Sequence, residues 1–310
     1  MKNIKGSLLL LLTAIIWGTA FVSQKLGMNY IEPFTFGASR FLLGALTLIP
    51  VILIFDKANS KKKGSEKSIN SSFKNRDLIV GGILCGCALF FGASFQQFGI
   101  VHTTAGKAGF ITALYMVLVP IIGMFMGRKT DLFTWLGVVI AVIGLYLLSI
   151  KEGFSMGKGD AIVLIGTVFW ALHIIIVDRF VNKVDGVKLS CIQFLTAGTL
   201  SLIASFIAEE PKISEIIDCA GPILYSAVLS VGVAYTLQII GQKYTNPTLA
   251  SIIMSLESVF SAISGALYLK ESMLAREIFG CILVFIAVII AQINPKEIIN
   301  AIKNREKAVE

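Results

Sequence analysis

Long stretches of residues without charge are the feature that most constrains the fold of this chain. Nine such runs each supply most of the roughly 20 residues that a helix needs to cross a bilayer. They are residues 6–24, 41–55, 78–106, 108–127, 132–150, 161–177, 189–208, 219–242 and 278–295. The second run becomes a full span if it starts at Pro33 and includes Arg40, and a tenth span, residues 249–269, contains Glu257. The chain is therefore expected to lie in a membrane.

The same runs predict helices. They lack the alternation of apolar and polar residues that marks strands, and they are rich in Leu, Ile and Ala. In lipid, only helices and closed barrels satisfy their own backbone hydrogen bonds. With 55% hydrophobic and 15% charged residues, the chain is also too apolar for ordinary soluble domains. We predict an all-α integral membrane protein with ten transmembrane helices.

The positions of Lys and Arg predict the orientation. If the N-terminus is cytoplasmic, 19 of the 27 Lys and Arg residues fall in cytoplasmic segments, 7 fall outside and Arg40 alone lies in a span. We therefore predict a multi-pass protein of the cytoplasmic (inner) cell membrane with both termini in the cytoplasm. Topology accounts for the net charge of +8, so nucleic acid is not an expected partner.

Cysteine and histidine give no sign of a metal site, a cofactor or an enzyme. The five Cys residues lie within or at the edges of the apolar runs, and no two of them form a CxxC pair. His102 and His173 fall on different predicted helices without a metalloprotease motif, and the chain has no phosphate-binding loop for ATP. We expect no cofactor, no metal and no enzymatic activity.

An internal repeat organises the sequence. Trp17 aligns with Trp170 at an offset of 153 residues. Further along the chain the offset is 142, and the aligned pairs are Gln96 with Gln238, Gly99 with Gly241, Thr103 with Thr245 and Gly123 with Gly265. The offset falls by 11 because the linker 56–77 is 11 residues longer than its counterpart, 209–219.

The repeat divides the chain into two units. Residues 1–152 hold helices 1–5 and the basic cytoplasmic loop 56–77, residues 153–295 hold helices 6–10, and residues 296–310 form a cytoplasmic tail. Because five is an odd number, the second copy enters the membrane from the opposite face. Inverted repeats of this kind place a substrate site near the midplane and expose it alternately to the two sides.

Several stretches resemble a known family. "IIWGTAFVSQK", "RFLLGAL", "LYMVLVPIIGMFMGRK" and "SLESVFSAISGALYLKE" are similar to the two repeated domains of EamA-like transporters of the drug/metabolite transporter (DMT) superfamily, and the resemblance covers residues 6–293. It implies ten helices and a secondary carrier that often exports amino acids or related metabolites. Many relatives have proline where this chain has Ser258, so the sequence gives less reason to expect a helix break there.

The ninth predicted helix has three faces by helical periodicity. Ile252, Leu256, Val259, Ile263 and Leu267 form a bulky stripe that we expect to face lipid. The nearly opposite arc holds Ala250, Glu257, Ser261 and Ser264, and we expect it to face the bundle interior. A third stripe of small residues predicts a close helix contact, and its members are Ser251, Ser255, Ser258, Ala262 and Gly265.

Two charged residues fall inside predicted spans. A carboxylate at the bilayer centre costs roughly 2.5–3.5 kcal/mol on insertion scales. Glu257 is therefore interpreted either as a proton-coupling or cation-binding group or as a structural residue hydrogen-bonded across the bundle. Arg40 is either a structural anchor, with Glu257 as one partner to consider, or the binding group for a substrate carboxylate.

Uncharged candidates complete the predicted site. Trp17 and Trp170 occupy matching places well inside the membrane, as cavity walls or as core residues. Hydrogen-bonding side chains come from three more predicted helices, the third, fourth and eighth, and they are Gln97, Tyr115, Tyr235 and Gln238. Tyr115 is the repeat counterpart of Glu257 at the offset of 142.

These observations lead to one main hypothesis and two alternatives. The main one is a secondary transporter that exports a small metabolite by alternating access and is coupled to protons through Glu257. The first alternative is an uptake permease for a small organic cation or a nucleoside-like metabolite. The second is a membrane scaffold or sensor that does not transport. The expected partners are a small molecule, the lipid bilayer and protons, and a homodimer is left open.

Overall fold

The computed structural model describes residues 2–63, 75–103, 105–149, 156–269 and 273–293. Residues 64–74 of the predicted basic loop 56–77 and the whole predicted tail 296–310 lie outside these residues. Within the described parts of the chain, every regular element is a helix.

The first half contains six helical elements. They are α1 (Lys2–Gly27), α2 (Pro33–Lys63), α3 (Arg76–His102), α4 (Ala105–Ala113), α5 (Tyr115–Phe125) and α6 (Leu132–Ser149). The second half contains eight α-helices and one π-helical segment. They are α7 (Lys158–Phe180), α8 (Gly186–Ala208), α9 (Ile213–Asp218), α10 (Ala220–Tyr225), the π segment (Ser226–Tyr235), α11 (Thr236–Gln242), α12 (Pro247–Met254), α13 (Glu257–Leu269) and α14 (Ala275–Ala291).

Eight helical stretches in the described part of the chain are long and apolar enough to cross a membrane. They are Ile4–Gly27, Pro33–Lys57, Arg76–His102, Lys107–Phe125, Lys158–Phe180, Gly186–Ala208, Ala220–Gln242 and Pro247–Ser264. The apolar part of α6, Leu132–Leu148, is shorter, and α14 has 17 residues. The chain is therefore a multi-pass membrane protein whose described residues are all-helical in their regular structure and contain eight candidate spans.

Local sequence explains where several helices begin. The Asn75 side chain accepts a hydrogen bond from the Asp77 N–H at the start of α3, and Asp185 does the same for the first turn of α8. At α12, Asn246 accepts from the Leu249 N–H, and Pro247 occupies the first helical position, where its missing N–H costs nothing. These caps fix where α3, α8 and α12 begin.

Glycines bring helices of the two halves into close contact. A Cβ atom added at Gly6 in α1 would lie 3.0 Å from the Gly241 carbonyl oxygen in α11. A Cβ atom added at Gly159 in α7 would lie 2.9 Å from the Gly99 carbonyl oxygen in α3. Both crossings therefore bring backbone against backbone, which small residues permit. In the same bundle, α2 packs along α8, and α6 packs along α14.

The predicted lipid-facing stripe of the ninth helix is wrong for three of its five members. Ile252, Leu256 and Val259 are fully buried, whereas Leu267 is 74% exposed and Ile263 is half-buried. The helix is split into α12 and α13, and these pack against α1, α4, α5, α6 and α14. Neighbours therefore surround most of this helix, and periodicity alone does not reveal how many helices surround a bulky stripe.

We expect Gly280→Ala to lower the stability of the protein in detergent. A Cβ atom there would lie 2.5 Å from the Gly144 carbonyl oxygen and 2.7 Å from the Leu148 backbone nitrogen. A flexible side chain could rotate away from the new methyl group, but backbone atoms cannot. The helices α6 and α14 must therefore move apart, which lowers the free energy of unfolding by about 1–3 kcal/mol. A lower melting temperature by intrinsic fluorescence is the expected result.

Gly221→Ala is the matched control, because a Cβ atom at Gly221 meets no atom within 4 Å. Equal melting temperatures for Gly280→Ala and the unmodified protein would contradict the close α6–α14 contact.

Candidate functional site

Two apolar helices are interrupted at matching positions. The chain is not helical at Leu114, between α4 and α5, or at Ser255 and Leu256, between α12 and α13. Short i→i−3 hydrogen bonds bridge both interruptions, such as that from the Ser258 N–H to the Ser255 carbonyl, 3.2 Å. A helix break is thus present beside Glu257, although Ser258 gave less reason to expect one there.

The residues that follow these interruptions meet each other. Tyr115 begins α5 and Glu257 begins α13, and each lies near the centre of its split helix. The Tyr115 hydroxyl donates a hydrogen bond to Glu257 Oε1 over 3.1 Å. The first turn of a helix favours a negative group, because its N–H groups have no partners within the helix. Both split helices therefore present a polar side chain to the bundle interior.

These two side chains lie on the wall of a central cavity to which each half of the chain contributes seven residues. From the first half come Trp17, Phe21, Gln24, Arg40, Gln96, Thr112 and Tyr115. From the second half come Trp170, Ile174, Ser230, Tyr235, Gln238, Met254 and Glu257. A cavity with apolar walls and a few converging polar groups is typical of a small-molecule site.

The cavity is narrow in this conformation. The volume open to the centres of water molecules is about 30 Å³, which is enough for about two waters when one needs roughly 10–15 Å³. A metabolite does not fit between these walls unless they separate. The structure therefore represents a closed state of the cavity.

Three aromatic side chains form one side of the cavity. The Tyr235 ring centroid lies 4.6 Å from that of Trp17 and 6.1 Å from that of Trp170, so the tyrosine sits between the two tryptophans. The Trp17 indole N–H donates to the Ser230 carbonyl over 3.3 Å. Trp170 lies against Gly92, where an added Cβ atom would be 3.1 Å from the indole ring. The two repeat-related tryptophans thus meet around one tyrosine.

Both predicted buried charges line the cavity, but they do not form an ion pair. Glu257 and Arg40 are each 4% exposed. Among the described residues, no carboxylate oxygen lies within 4.0 Å of the Arg40 guanidinium, and Arg40 Nε has no hydrogen-bond partner. The guanidinium lies over the rings of Phe41, at 4.8 Å, and Phe36, at 5.4 Å. The pair with Glu257 considered from the sequence is therefore not formed in this conformation.

The predicted amides divide between the cavity and the surrounding helices. Gln238 lines the cavity and donates to Gln242 Oε1 over 3.1 Å, while its own Oε1 has no partner. Gln97 does not line the cavity, and its side chain donates to the Gln24 carbonyl over 3.2 Å. Its neighbour Gln96 lines the cavity instead and donates to Thr112 Oγ1 over 3.0 Å. Adjacent residues on a helix point about 100° apart, which accounts for the difference.

Seven of the eight residues chosen from the sequence therefore meet in one cavity, and whether they bind a substrate stays a prediction. The sequence reasoning did not select seven others, namely Phe21, Gln24, Gln96, Thr112, Ile174, Ser230 and Met254. Gln96 could have been found from its alignment with Gln238. Ser230 lies in the π-helical segment, which the sequence does not reveal. Within the described residues, no three His, Cys, Asp or Glu side chains come together as a metal site.

Comparison with known proteins identifies the family. The sequence profile described as the EamA-like transporter family matches residues 4–150 and again residues 157–292. The chain belongs to the EamA-like transporter family. A solved crystal structure with 18% sequence identity shares this family member's fold, with a TM-score of 0.73 over 93% of this chain and 96% of the other.

Relatives of this EamA-like protein are named as transporters. A protein of Archaeoglobus fulgidus called an uncharacterized transporter is 31% identical over 94% of this chain and 87% of its own length. The uncharacterized transporter YoaV of Bacillus subtilis is 22% identical over 91% of this chain and 94% of its own. The uncharacterized inner membrane transporter YedA of Escherichia coli K12 is 24% identical over 81% of this chain and 78% of its own.

Two neighbouring glutamines allow a direct test of the cavity boundary. We expect Gln96→Leu to weaken substrate binding by about threefold to tenfold, because it removes a hydrogen-bonding group from the cavity wall. Gln97→Leu should change binding by less, because its side chain contacts the α1 backbone instead. Isothermal titration of the purified variants with a solute that the unmodified protein binds would compare them, and a larger loss for Gln97→Leu would contradict this boundary.

Proposed function

We propose that this protein is a secondary transporter that exports a small metabolite, an amino acid or a related compound, by alternating access of two inverted five-helix repeats. The observation that carries the proposal is the central cavity, which takes seven residues from each half and lies where two membrane helices are interrupted. Broken helices at an interface between repeats are the usual setting of a transporter substrate site.

Equivalent contacts in the two halves support the repeat. Gly159 follows Gly6 by 153 residues, and Gly241 follows Gly99 by 142, the same two offsets as in the sequence alignment. Gly6 contacts the Gly241 carbonyl, and Gly159 contacts the Gly99 carbonyl. The same contact therefore occurs twice, with the roles of the two halves exchanged. The family profile also matches the chain twice.

Ten spans and a cytoplasmic N-terminus complete the proposed topology. We assign α6 and α14 as the fifth and tenth spans, because these apolar helices pack along each other as the last helix of each half. The excess of Lys and Arg on one side supports cytoplasmic termini and, with the name of the Escherichia coli relative, an inner membrane location.

Proton coupling through Glu257 rests on the charges that line the cavity. Glu257 faces Tyr115, and the same cavity holds Arg40 and Tyr235, with His173 packed edge-on against Tyr235. A proton gained or lost by Glu257 changes the net charge of a closed cavity by one unit. An uncompensated charge at this depth costs free energy. A charged substrate in the cavity therefore favours one protonation state of Glu257, and the empty cavity favours the other. This would couple proton movement to transport.

We expect Glu257→Gln to abolish proton-driven flux while leaving a folded protein. The test uses proteoliposomes with an imposed pH gradient and a panel of radiolabelled amino acids and matched carboxylic acids. Glutamine keeps the size and a hydrogen-bond acceptor for Tyr115 but cannot exchange a proton. Flux that remains and still follows the pH gradient would contradict the coupling role.

Glu277→Gln is the matched control, because Glu277 is about as buried but lies at the start of α14, away from the cavity. Flux into right-side-out and inside-out vesicles would compare export with uptake. A folded protein that moves none of these solutes in either direction would overturn the transporter proposal and favour a scaffold or sensor.

A further inference from the structure

The Arg40 guanidinium is a buried positive charge, and no carboxylate of the described residues lies within 4.0 Å of it. Its side chain is 4% exposed, its Nε atom has no hydrogen-bond partner, and it lines the central cavity. Arginine cannot relieve the cost of burial by losing its proton. A charge in such a place is stable only when an anion or water completes its hydrogen bonds.

The acidic groups of the described residues that are not exposed to solvent are already engaged. Each accepts hydrogen bonds or an ion pair within 4 Å from a group other than Arg40. They are Asp56 with Lys188, Asp160 with Lys107 and Thr103, Asp178 with Arg128, Glu209 with the first turn of α2, Glu215 with Lys212, Glu257 with Tyr115, and Glu277 with the Leu274 N–H. The group that neutralises Arg40 must therefore come from outside the described part of the chain.

We propose that the substrate is a small organic acid with an apolar body, and that Arg40 binds its carboxylate. This inference rests on the proposed transport function and makes it more specific. A guanidinium binds a carboxylate through paired hydrogen bonds. The Phe36 and Phe41 rings lie beside the guanidinium, while Trp17, Trp170 and Tyr235 supply an aromatic wall for the rest of the molecule.

The negative group is the required charge, and an ammonium group is not. Glu257 already accepts a hydrogen bond from Tyr115, and a carboxyl group can become neutral by protonation. Arg40 has neither option. Acids without an amine and amino acids should therefore both bind, whereas amines without a carboxylate should not.

Four compounds of nearly equal size test this requirement. They are 3-phenylpropanoate, phenylalanine, phenethylamine and 3-phenylpropanamide, which differ in charge but share an aromatic body. Binding to the purified full-length protein is measured by isothermal titration. We expect both carboxylates to bind about tenfold or more tightly than the amine and the amide.

Variants of Arg40 identify the binding group. We expect Arg40→Gln to remove the preference for carboxylates, and Arg40→Lys to keep part of it because a positive charge remains. Arg128→Gln should leave the preference unchanged, because Arg128 pairs with Asp178 away from the cavity. If Arg40→Gln does not fold, a preference for carboxylates in Arg40→Lys that equals that of the unmodified protein would overturn the proposal.

The remaining outcomes separate this inference from the function on which it rests. If all four compounds bind equally, or if neither carboxylate binds, Arg40 is not the group that binds a substrate carboxylate. If flux of other solutes persists in that case, the transporter proposal stands. Tight carboxylate binding without flux in proteoliposomes would support Arg40 and overturn transport.

A second, independent observation concerns the two ends of the α2–α8 contact. At one end, Glu209 accepts hydrogen bonds of 2.7 Å from the Phe34 N–H, the Thr35 N–H and the Thr35 hydroxyl. At the other end, the Lys188 ammonium donates to Asp56 Oδ1 over 2.7 Å. We call these the Glu209 latch and the Asp56 latch.

The two latches occupy equivalent places in the repeat. Lys188 follows Thr35 by 153 residues, and Glu209 follows Asp56 by the same 153 residues. In each latch, an acidic residue near the end of one candidate span contacts the first turn of the other, the two spans being Pro33–Lys57 and Gly186–Ala208. Because α2 and α8 belong to different halves, separating the halves at either face must break one latch.

We propose that the two latches close opposite faces of the transporter and open in alternation. Both are closed here, in agreement with the narrow cavity. Loss of the Glu209 latch should favour opening at its face, and loss of the Asp56 latch should favour opening at the other. This inference also rests on alternating access, but it does not depend on Arg40 or on the substrate.

A single cysteine in the cavity reports which face is open. Ser230→Cys is placed in a chain whose five native cysteines are replaced by alanine, and its labelling by a membrane-impermeant maleimide is followed in vesicles of each orientation. A separate Glu215→Cys chain marks the Glu209 face, because Glu215 lies beside the same outer vestibule as Glu209. The Ser230 side chain itself is buried in the closed state.

We expect Glu209→Ala to raise the labelling rate from the Glu215 side, and Lys188→Met to raise it from the opposite side. The expected increase is about tenfold, the shift that follows from losing one charge-assisted hydrogen bond. Lys212→Met is the control, because the exposed Lys212–Glu215 pair lies within one segment and joins no two spans. Thr35→Val and Asp56→Asn are milder variants if the first two do not fold.

Increases on the same side for both latches, or no increase for either, would overturn the inference. If the two latch variants raise labelling from opposite sides but the protein shows no flux, the inference about the latches stands and the transport function is overturned.

Discussion

Backbone hydrogen bonding inside a bilayer is the constraint on which the whole site depends. An interrupted helix is tolerated at membrane depth only where protein or an enclosed cavity surrounds it. The breaks at Leu114 and at Ser255–Leu256 meet this condition, because residues on both sides of them are buried. Close packing of α1 holds the second break in place, since a Cβ atom at Gly18 would lie 2.7 Å from the Glu257 carbonyl oxygen. The cavity and its two charged residues follow from this arrangement.

Most of the site could be predicted because polar side chains are rare in apolar runs. Seven of the eight chosen residues line the cavity, since Arg40, Glu257 and the aromatic residues have few other places in such a bundle. Gln97 was chosen and Gln96 was not, because two adjacent glutamines look alike in the sequence. Only the rotation of α3 about its axis decides which of them faces the cavity, and it is Gln96. The buried face of Ile252, Leu256 and Val259 and the π-helical segment were beyond sequence reasoning, because they depend on the number and position of neighbouring helices.

The repeat alignment gains meaning from contacts. Taken singly, an aligned pair of glycines in two apolar helices is weak evidence, because such matches arise by chance. Two helix crossings, however, are related by the alignment: one joins Gly6 to Gly241, and the other joins Gly159 to Gly99. Gly159 is the counterpart of Gly6 at the offset of 153, and Gly241 is the counterpart of Gly99 at the offset of 142. The change of offset from 153 to 142 falls in the linker after α2, which leaves these crossings undisturbed. Pairs of contacts related by the repeat are far harder to produce by chance than pairs of residues.

The two halves share their packing but differ in their charges. Trp17 and Trp170 match, whereas Glu257 is matched by Tyr115, and Lys188 is matched by Thr35. With identical halves, the states open to each side would have equal free energy, and the protein would have no preferred resting side. Here one latch is an ion pair and the other is a carboxylate that accepts from two backbone N–H groups and a hydroxyl, so the two latches differ in kind. In the proposed cycle, the shared fold provides the two open states. The difference in free energy between them therefore arises from the positions at which the halves carry different side chains, such as Lys188 and Thr35.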